Sequence, residues 1–203
     1  MRRFGPTVLL SLAFSTAYAP RSARAQNLVV NPDFAQAQMI AGWQTSASGG
    51  AFTPYWSSSP DHTGTASSGS STFWVLSGES AMHQCVPVTP GTVYDIAAWL
   101  NVGSGSDGLL ELRWSWYPTA DCSGAAASGG VLATPPADDA WHHVVAASQV
   151  APLGSAALDI LFDAQPWMQA NVDDVSVACS ASDPNGPVVT PPAAATAVQT
   201  LCE

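Results

Sequence analysis

Apolar and polar residues alternate along several short segments of the chain, with the two-residue period of a β-strand. The clearest segment is Leu109–Tyr117, where Leu110, Leu112, Trp114 and Trp116 oppose Glu111, Arg113, Ser115 and Tyr117. In Thr92–Val102, Tyr94, Ile96, Ala98 and Leu100 oppose Asp95, Ala97, Trp99 and Asn101. In Ala156–Asp163, Leu158, Ile160 and Phe162 oppose Asp159 and Asp163. The pattern predicts three strands with one core side and one mixed side of rings and charged groups.

Other apolar runs are short and are bounded by Gly, Ser, Pro and Asp. They predict further strands at Leu28–Val30, Thr72–Leu76, Ser80–Val88, Trp141–Gln149 and Asn171–Ala178. Turns or loops are predicted at Pro90-Gly91, Gly103–Gly108 and the Ser/Gly-rich region Ser46–Ser71. No window holds an amphipathic helical pattern of useful length. Many short strands at this spacing predict an all-β sandwich or barrel.

The two ends of the chain depart from this pattern. Residues 1–25 combine Arg2 and Arg3 with an apolar run and the small residues of Ala23-Arg24-Ala25, which is typical of a cleaved secretory signal peptide. A membrane anchor is the alternative, but the run is shorter than the ~20 residues of a spanning helix. Residues 181–203 are rich in Pro and Ala and predict a disordered tail. The predicted folded domain is therefore 26–180, in a secreted or cell-surface protein.

The net charge of the chain limits the kinds of molecule that it can bind. The chain has 15 Asp and Glu, and removal of residues 1–25 would leave Arg113 as the one Lys or Arg, for a formal charge of −14. A surface this acidic repels nucleic-acid backbones and anionic lipids. We therefore expect a neutral partner, no nucleic acid, and no membrane insertion of the mature chain.

Motifs of common catalytic sites are absent from the sequence. It contains no Gly-x-Ser-x-Gly and no His-Glu-x-x-His. His142 and His143 are adjacent, so on a strand they would point to opposite faces and could not share a metal ion. A glycosidase needs two carboxylates ~5–9.5 Å apart. Glu111, Asp95 and Asp159 would supply them only if the mixed faces of their strands adjoin.

The mixed faces suit a sugar ligand, because a ring can stack on a pyranose while fixed polar groups hold its hydroxyls. The expected carbohydrate-binding residues are Trp99, Trp56, Asp95, Asn101, Glu111, Arg113 and Tyr117. The equal alternative is that Arg113 has a structural role, in an ion pair with Glu111 or Asp95. Trp114 and Trp116 lie on an apolar side and are expected in the core.

Several segments, taken in order, resemble a known family, the CenC-type carbohydrate-binding modules of families 4 and 9. The matching segments are Asn27–Phe34, Gly42-Trp43, Gln84–Tyr94, Trp141 and Val172–Val177. The resemblance covers residues 27–178. It implies a galactose-binding-like jelly roll, a core position for Trp43, and binding of soluble or amorphous polysaccharide beside secreted glycoside hydrolases.

The resemblance also implies a structural calcium ion. Asp173 stands where the closing-strand aspartate of the family binds that ion. The glutamate that usually follows the opening Phe is Ala35 here, and calcium takes six to eight oxygens. The alternative is that Asp173 and Asp174 only cap or solvate the last strand.

Four cysteines follow the leader: Cys85, Cys122, Cys179 and Cys202. In an exported protein they are disulfide candidates with three possible pairings. A zinc site is disfavoured, since there is no Cys-x-x-Cys and no His at ligand spacing from a Cys. The family resemblance implies a Cys85–Cys122 bond, which leaves Cys179 to pair with Cys202 or with another chain.

Three functions remain open at this point. The first is a secreted, non-catalytic module that binds a neutral polysaccharide and works with glycoside hydrolases. The second is an extracellular adhesive or surface sandwich that contacts a protein partner. The third is a small glycosidase.

Overall fold

The computed structural model describes residues 26–35, 40–64 and 68–180. These ranges contain ten strands and no helix, and hence no helix that could cross a membrane. The strands are β1 Gln44–Ala47, β2 Tyr55–Ser57, β3 Ser70–Val75, β4 Ser80–Pro87, β5 Val93–Val102, β6 Leu110–Tyr117, β7 Ser128–Leu132, β8 Trp141–Val150, β9 Ala157–Ala164 and β10 Met168–Cys179. The predicted signal peptide and the predicted tail lie outside the described residues.

The strands form two five-stranded antiparallel sheets. Sheet A has the order β1-β4-β9-β6-β7, and sheet B has the order β2-β3-β10-β5-β8. The chain passes between the sheets from β3 to β4, from β5 to β6 and from β9 to β10, so neighbours in a sheet are mostly distant in sequence. This arrangement is a jelly-roll sandwich, which confirms the predicted fold class.

The core lies between the sheets and is formed by the apolar side of each strand. Leu112 on β6 and Phe162 on β9 are paired across the strands and fully buried. Trp114, Trp116 and Trp43 are also buried, as expected. Burying one large apolar side chain contributes about 1.5–3 kcal/mol, so the predicted alternation accounts for the packing of the two sheets.

The first predicted strand is wrong, because Leu28–Val30 makes one backbone hydrogen bond to β10, from the Leu28 N–H to the Val177 carbonyl at 2.9 Å, and is otherwise held by side chains. The Asn27 side chain accepts a hydrogen bond from the Val177 backbone N–H at 3.0 Å. The Gln84 side chain accepts from the Val30 N–H at 2.8 Å and donates to the Val30 carbonyl at 3.1 Å. These amide groups replace the backbone partners that a neighbouring strand would provide.

Three strands were not predicted: β1, β2 and β7. All three lie at sheet edges and are short. The predicted long loop Ser46–Ser71 contains β2 and the ends of β1 and β3, so that prediction is wrong in part. Edge strands pair on one side only and need no apolar alternation, which explains why the pattern missed them.

The Cys85–Cys122 disulfide is present and joins β4 to the loop that follows β6. This confirms the pairing that the resemblance implied. Cys179, the last residue of β10, is also disulfide-bonded. Cys202 lies outside the described residues.

Candidate functional site

The predicted site residues divide between two outward faces. Trp99, Asp95 and Asn101 lie on β5 in sheet B, whereas Glu111, Arg113 and Tyr117 lie on β6 in sheet A. The sheets pack on each other through the core, so these outward sides are on opposite surfaces of the sandwich. The expectation that the mixed faces adjoin is therefore wrong for β5, whereas the mixed faces of β6 and β9 do adjoin, because these strands are neighbours in sheet A. Asp95 cannot form a catalytic carboxylate pair with Glu111 or Asp159.

The outward centre of sheet B is covered by the chain itself. The polar residues that point away from the core here are buried: Ser70, Thr72, Asn101, Asn171 and Asp173. Two loops lie over them, residues 58–64 and residues 137–140. The Ser70 hydroxyl donates to the Pro60 carbonyl at 2.7 Å, and the Asn101 amide donates to the Asp139 carbonyl at 2.6 Å. A ligand reaches this centre only if a loop moves.

Asn101 belongs to a buried row of hydrogen-bonded side chains. Thr72 Oγ1 donates to Asn171 Oδ1 at 2.8 Å, and Asn171 Nδ2 donates to Asn101 Oδ1 at 3.4 Å. The row crosses β3, β10 and β5 and ends on residues 137–140. Buried polar groups need partners of this kind, so Asn101 has a structural role in this arrangement.

The Trp99 indole is half-buried and stacks against two imidazoles. The His62 ring lies 3.8 Å away at 18°, and the His143 ring lies 4.9 Å away at 28°, measured between centroids and planes. His62 also meets the Trp141 ring edge-on at 5.8 Å. A sugar stacking on Trp99 would compete with His62. The predicted sugar contact at Trp99 therefore stays a prediction that requires movement of residues 58–64.

Two aspartates of β10 hold His62 in place. The His62 backbone N–H donates to Asp173 Oδ2 at 3.0 Å, and His62 Nδ1 lies 2.7 Å from Asp174 Oδ2. The Asp173 side chain also accepts from the Asp174 N–H at 2.8 Å and hydrogen-bonds the Asp61 side chain. Burial raises the pKa of Asp173 to about 7. Asp173 thus anchors a loop through a carboxyl group whose pKa lies close to neutral pH.

The same cluster fits a calcium ion only in part. Asp61 and Asp173 bring two carboxyl groups into contact, with the Ser68 hydroxyl donating to Asp61 at 2.6 Å. No group of three or more His, Cys, Asp or Glu side chains within residues 26–35, 40–64 and 68–180 is placed to hold a metal. Calcium prefers six to eight oxygens, so backbone carbonyls or water would have to supply most of them. Calcium at Asp173 stays a prediction.

Asp95 and Trp56 also have partners within the chain. Asp95 Oδ1 accepts from the Ser148 N–H at 2.8 Å, beside the irregularity in the β5–β8 pairing. Trp56 packs against the core, and its Nε1–H donates to the Phe34 carbonyl at 2.8 Å. Trp56 therefore lies on the core side of sheet B and does not share a face with Trp99.

The outward face of sheet A, which we call the sheet A face, is accessible across its width. Most of its outward residues on the central strands are half-buried, and Ala157, at the Tyr117 end, is fully buried. The half-buried residues are Ala81, His83, Cys85, Glu111, Arg113, Ser115, Tyr117, Asp159, Leu161 and Asp163. The edge strand β1 is exposed throughout, and β7 adds the exposed Val131. This contrast with sheet B identifies the sheet A face as the surface that a ligand can reach directly.

Arg113 lies between two carboxylates on the sheet A face. It donates from Nε at 2.8 Å and from a terminal nitrogen to Glu111, and its other terminal nitrogen lies 3.3 Å from Asp163. The hydrogen bond to Glu111 raises the pKa of Arg113, and burial raises the pKa of Asp163 against the lowering effect of Arg113. The expected pairing with Glu111 is present, and Asp163 is the second partner. The guanidinium remains 42% exposed, so its outer edge can contact a ligand.

A hydrogen-bonded pair, His83 with Asp159, lies beside the Arg113 ion pairs, and the sequence did not predict it. His83 Nδ1 on β4 lies 2.9 Å from Asp159 Oδ1 on β9. Burial raises the pKa of Asp159, and His83 only partly offsets this effect. The polar alternation of Asp159 was visible, but the pairing of β4 with β9 brings the two residues together from 76 positions apart.

Tyr117 marks one end of the sheet A face. It ends β6 and is followed by a loop that the Cys85–Cys122 disulfide ties to β4. The Cys85 sulfur lies 3.5 Å from the Ala120 carbonyl in that loop. Among the described strand residues of this face, Tyr117 carries the one phenol ring, and the His83 imidazole is the other aromatic ring. The face therefore combines two aromatic rings with a row of polar and charged donors and acceptors.

Comparison with known proteins finds solved structures with a similar fold. No protein-family model matches the chain. No curated protein matches it either. Among solved structures, the enzymatically active domain of bacteriophage CBA120 tailspike protein 4 is similar at a TM-score of 0.62 and 15% identity, over 75% of this chain and 21% of that one. This chain therefore corresponds to about a fifth of the tailspike chain.

Two carbohydrate-binding modules are similar over nearly their whole length. TmCBM61, solved in complex with β-1,4-galactotriose, has a TM-score of 0.54 and 15% identity, over 76% of this chain and 99% of that one. A family 4 module has a TM-score of 0.52 and 11% identity, over 75% and 99%. At these identities the similarity establishes the jelly-roll fold that such modules share.

Proposed function

We propose that this chain is a secreted, non-catalytic carbohydrate-binding module that binds a neutral polysaccharide across the sheet A face. The observation that carries the proposal is the accessibility of that face, set against the covered centre of sheet B. Tyr117 supplies a ring for stacking, and Arg113 and Glu111 supply a donor and an acceptor for hydroxyl groups. These three are the predicted site residues that lie on the sheet A face.

The spacing of the face supports binding of an extended chain. Neighbouring strands lie about 4.8 Å apart, and outward residues repeat about every 6.6 Å along a strand. A single sugar unit would therefore contact side chains from two or three strands. His83 and Asp159 extend the polar row toward β1.

The charges of the face favour a neutral ligand. Arg113 is the only Lys or Arg among residues 26–180, and it is already paired with Glu111 and Asp163. The remaining acidic groups would repel an anionic polysaccharide. Hydroxyl groups can accept from the guanidinium and donate to the carboxylates without a net charge.

Three parts of the proposal rest mainly on the sequence: the CenC-type family, export from the cell, and association with glycoside hydrolases. The ordered motifs that resemble CenC-type modules favour that family, and the predicted leader favours export. The Cys85–Cys122 bond suits an oxidising compartment. Association with glycoside hydrolases follows from the same resemblance.

Blocking the sheet A face tests the proposal. Ser115→Trp places a bulky ring at the centre of the face and leaves both ion pairs in place, while Ser176→Trp makes the same change on the outward side of sheet B. Wild type and variants would be compared by affinity electrophoresis in xylan, mixed-linkage glucan and galactan gels, after thermal melting confirms folding. We expect retention of wild type and Ser176→Trp, and at least tenfold weaker retention of Ser115→Trp.

Other outcomes would contradict the proposal. Equal retention of Ser115→Trp and wild type would exclude the sheet A face. Loss in Ser176→Trp alone would move the site to sheet B. Release of reducing sugar from the same polysaccharides at high protein concentration would contradict the non-catalytic assignment and favour a glycosidase.

A further inference from the structure

Exposed apolar side chains gather at one end of the sandwich. We call this the loop end, and it is formed by residues 48–54, 76–79, 103–109, 133–140 and 165–167. Six large apolar residues at or next to it are exposed: Phe52, Tyr55, Trp74, Leu76, Leu109 and Trp167. The two tryptophans stand out, because indole rings are rarely left exposed at 45% and 65% without a ligand or partner.

Trp167 has a backbone conformation that favours glycine. Its φ is +65°, in the left-handed region that bulky residues seldom adopt. The turn that carries it is held by the neighbouring loop, since its carbonyl accepts from the Asp107 N–H at 3.0 Å and from the Gly108 N–H at 3.2 Å. Strain of this kind persists when surrounding contacts enforce it and marks sites where a side chain must be presented.

The loop beside Trp167 is packed tightly enough to hold the turn rigid. A Cβ on Gly108 would lie 2.2 Å from the Pro166 carbonyl, so only glycine permits this approach. The Ser106 hydroxyl donates to the Gln169 carbonyl at 3.1 Å and accepts from its N–H at 2.9 Å. The exposed indole of Trp167 therefore projects from a fixed support.

Trp74 lies on the adjoining strand. Trp74 on β3 is the direct partner of Gln169 on β10, two residues after Trp167. Gln169 is exposed and points outward from sheet B. The exposed amide of Gln169, which can donate and accept, thus has the exposed Trp74 as its cross-strand neighbour and the exposed Trp167 two residues before it in the chain.

We propose that the loop end is a second binding site, in which Trp167 and Trp74 stack on a neutral sugar and Gln169 holds a hydroxyl. Stacking on a rigid indole with a fixed amide alongside is the chemistry that recognises a pyranose. The acidic groups of the loop end, Glu79, Asp107, Asp138 and Asp139, are not balanced by any Lys or Arg at this end, which disfavours an anionic glycan or an anionic lipid surface. This site shares no residue with the sheet A face and does not depend on it.

Replacing Trp167 by glycine separates binding from folding. Because glycine accepts the positive φ without strain, Trp167→Gly should melt at the same temperature as wild type or higher. We expect it to weaken binding of a neutral oligosaccharide by roughly tenfold, with a similar loss for Trp74→Ala. Leu153→Ala is the control, since Leu153 is 90% exposed at the opposite end of the sandwich.

The measurement is a titration of the ¹⁵N-labelled full chain with oligosaccharides of xylan, glucan and galactan, following the backbone amide and indole N–H resonances. Shifts at Trp167 and Trp74 that persist in Ser115→Trp would support the loop end, even if the sheet A face proves inactive. Shifts confined to residues of the sheet A face would overturn it and leave the proposed function intact. Self-association or binding to zwitterionic lipid vesicles that is lost in Trp167→Gly, without any sugar-induced shift, would also overturn it.

Discussion

The imidazole of His62 lies nearly parallel to the indole of Trp99, with ring centroids 3.8 Å apart. This contact closes residues 58–64 over β10, whose Asp173 and Asp174 hold the same histidine. The Trp99 indole of sheet B is therefore already stacked against another part of the same chain. The outward centre of sheet B is covered by loops of the same chain, whereas the outward polar residues of sheet A are accessible to solvent.

Trp99→Ala tests this division between the sheets. Loss of the ring removes the stacking with His62 and His143, so we expect the free energy of unfolding to fall by about 2 kcal/mol. Hydrogen exchange in residues 58–64 should become faster, while glycan retention should stay unchanged. Denaturant unfolding, exchange and affinity electrophoresis measure the three quantities. Weaker retention with unchanged exchange would instead support Trp99 as a sugar contact.

Stability should fall as the pH rises through neutrality. The pKa of Asp173 is about 7 in the folded protein against 3.8 for an ordinary aspartate, so the folded state holds a proton that the unfolded state releases between those values. The contribution of this proton is fully present below about pH 4 and is lost as the pH passes 7. Urea unfolding from pH 5 to 8.5 should show the decline, at up to about 1.4 kcal/mol per pH unit.

Two comparisons isolate the cause of this decline. Asp173→Ala should lower stability at pH 5 and flatten the slope, whereas Asp121→Ala, at an exposed position, should leave the slope unchanged. Calcium tests the prediction from resemblance at the same site. A calcium-dependent gain in stability at pH 8 that chelator reverses would support an ion at Asp173, and identical unfolding curves would contradict it.

The sequence predicts the core better than the edges. Alternation in β5, β6 and β9 identified the buried sides correctly, because each inward residue meets an apolar neighbour from the facing sheet. It missed β1, β2 and β7, which are only three to five residues long and too short to show a sustained alternation. These strands form because each pairs with one neighbouring strand. The hydrophobic pattern within a single segment does not show which strand it will pair with.

The candidate site was predictable only in part. Alternation placed Glu111, Arg113 and Tyr117 outward, but it could not tell which strands share a sheet. For that reason it joined Trp99 to residues on the opposite surface. His62 lies in a region without a periodic pattern, and its contact with Trp99 depends on how a loop returns across β10.

The disulfide should contribute substantially to stability. Cys85 and Cys122 are separated by 37 residues, and closing a loop of this length restricts the unfolded chain by about 3–4 kcal/mol. The double variant Cys85→Ser with Cys122→Ser should therefore melt at a clearly lower temperature. It should also free the loop at the Tyr117 end of the sheet A face and weaken glycan retention. Chemical reduction of wild type should reproduce both effects, and any loss of stability beyond that of the double variant belongs to the second disulfide, at Cys179.

Arg113→Met removes the shared partner of Glu111 and Asp163. The guanidinium is 42% exposed, so solvent screening limits the loss, and we expect unfolding to become easier by about 1 kcal/mol at pH 7. Arg113 opposes the rise that burial causes in the pKa of Asp163, so its stabilising contribution is present while Asp163 is ionised and is lost as the pH falls and that carboxylate is protonated. The variant and wild type should accordingly converge in stability near pH 4, as measured by urea unfolding.

Arg113→Lys separates the charge of this residue from its geometry. A lysine keeps the positive charge but lacks the planar donors that reach two carboxylates at once. We expect Lys to restore most of the stability lost in Arg113→Met, because stability depends chiefly on the charge. Glycan retention should stay low in both variants if the guanidinium edge holds a sugar hydroxyl. Full retention in Arg113→Met would restrict this arginine to the ion pairs and leave Tyr117 and the other polar residues of the sheet A face to bind the ligand.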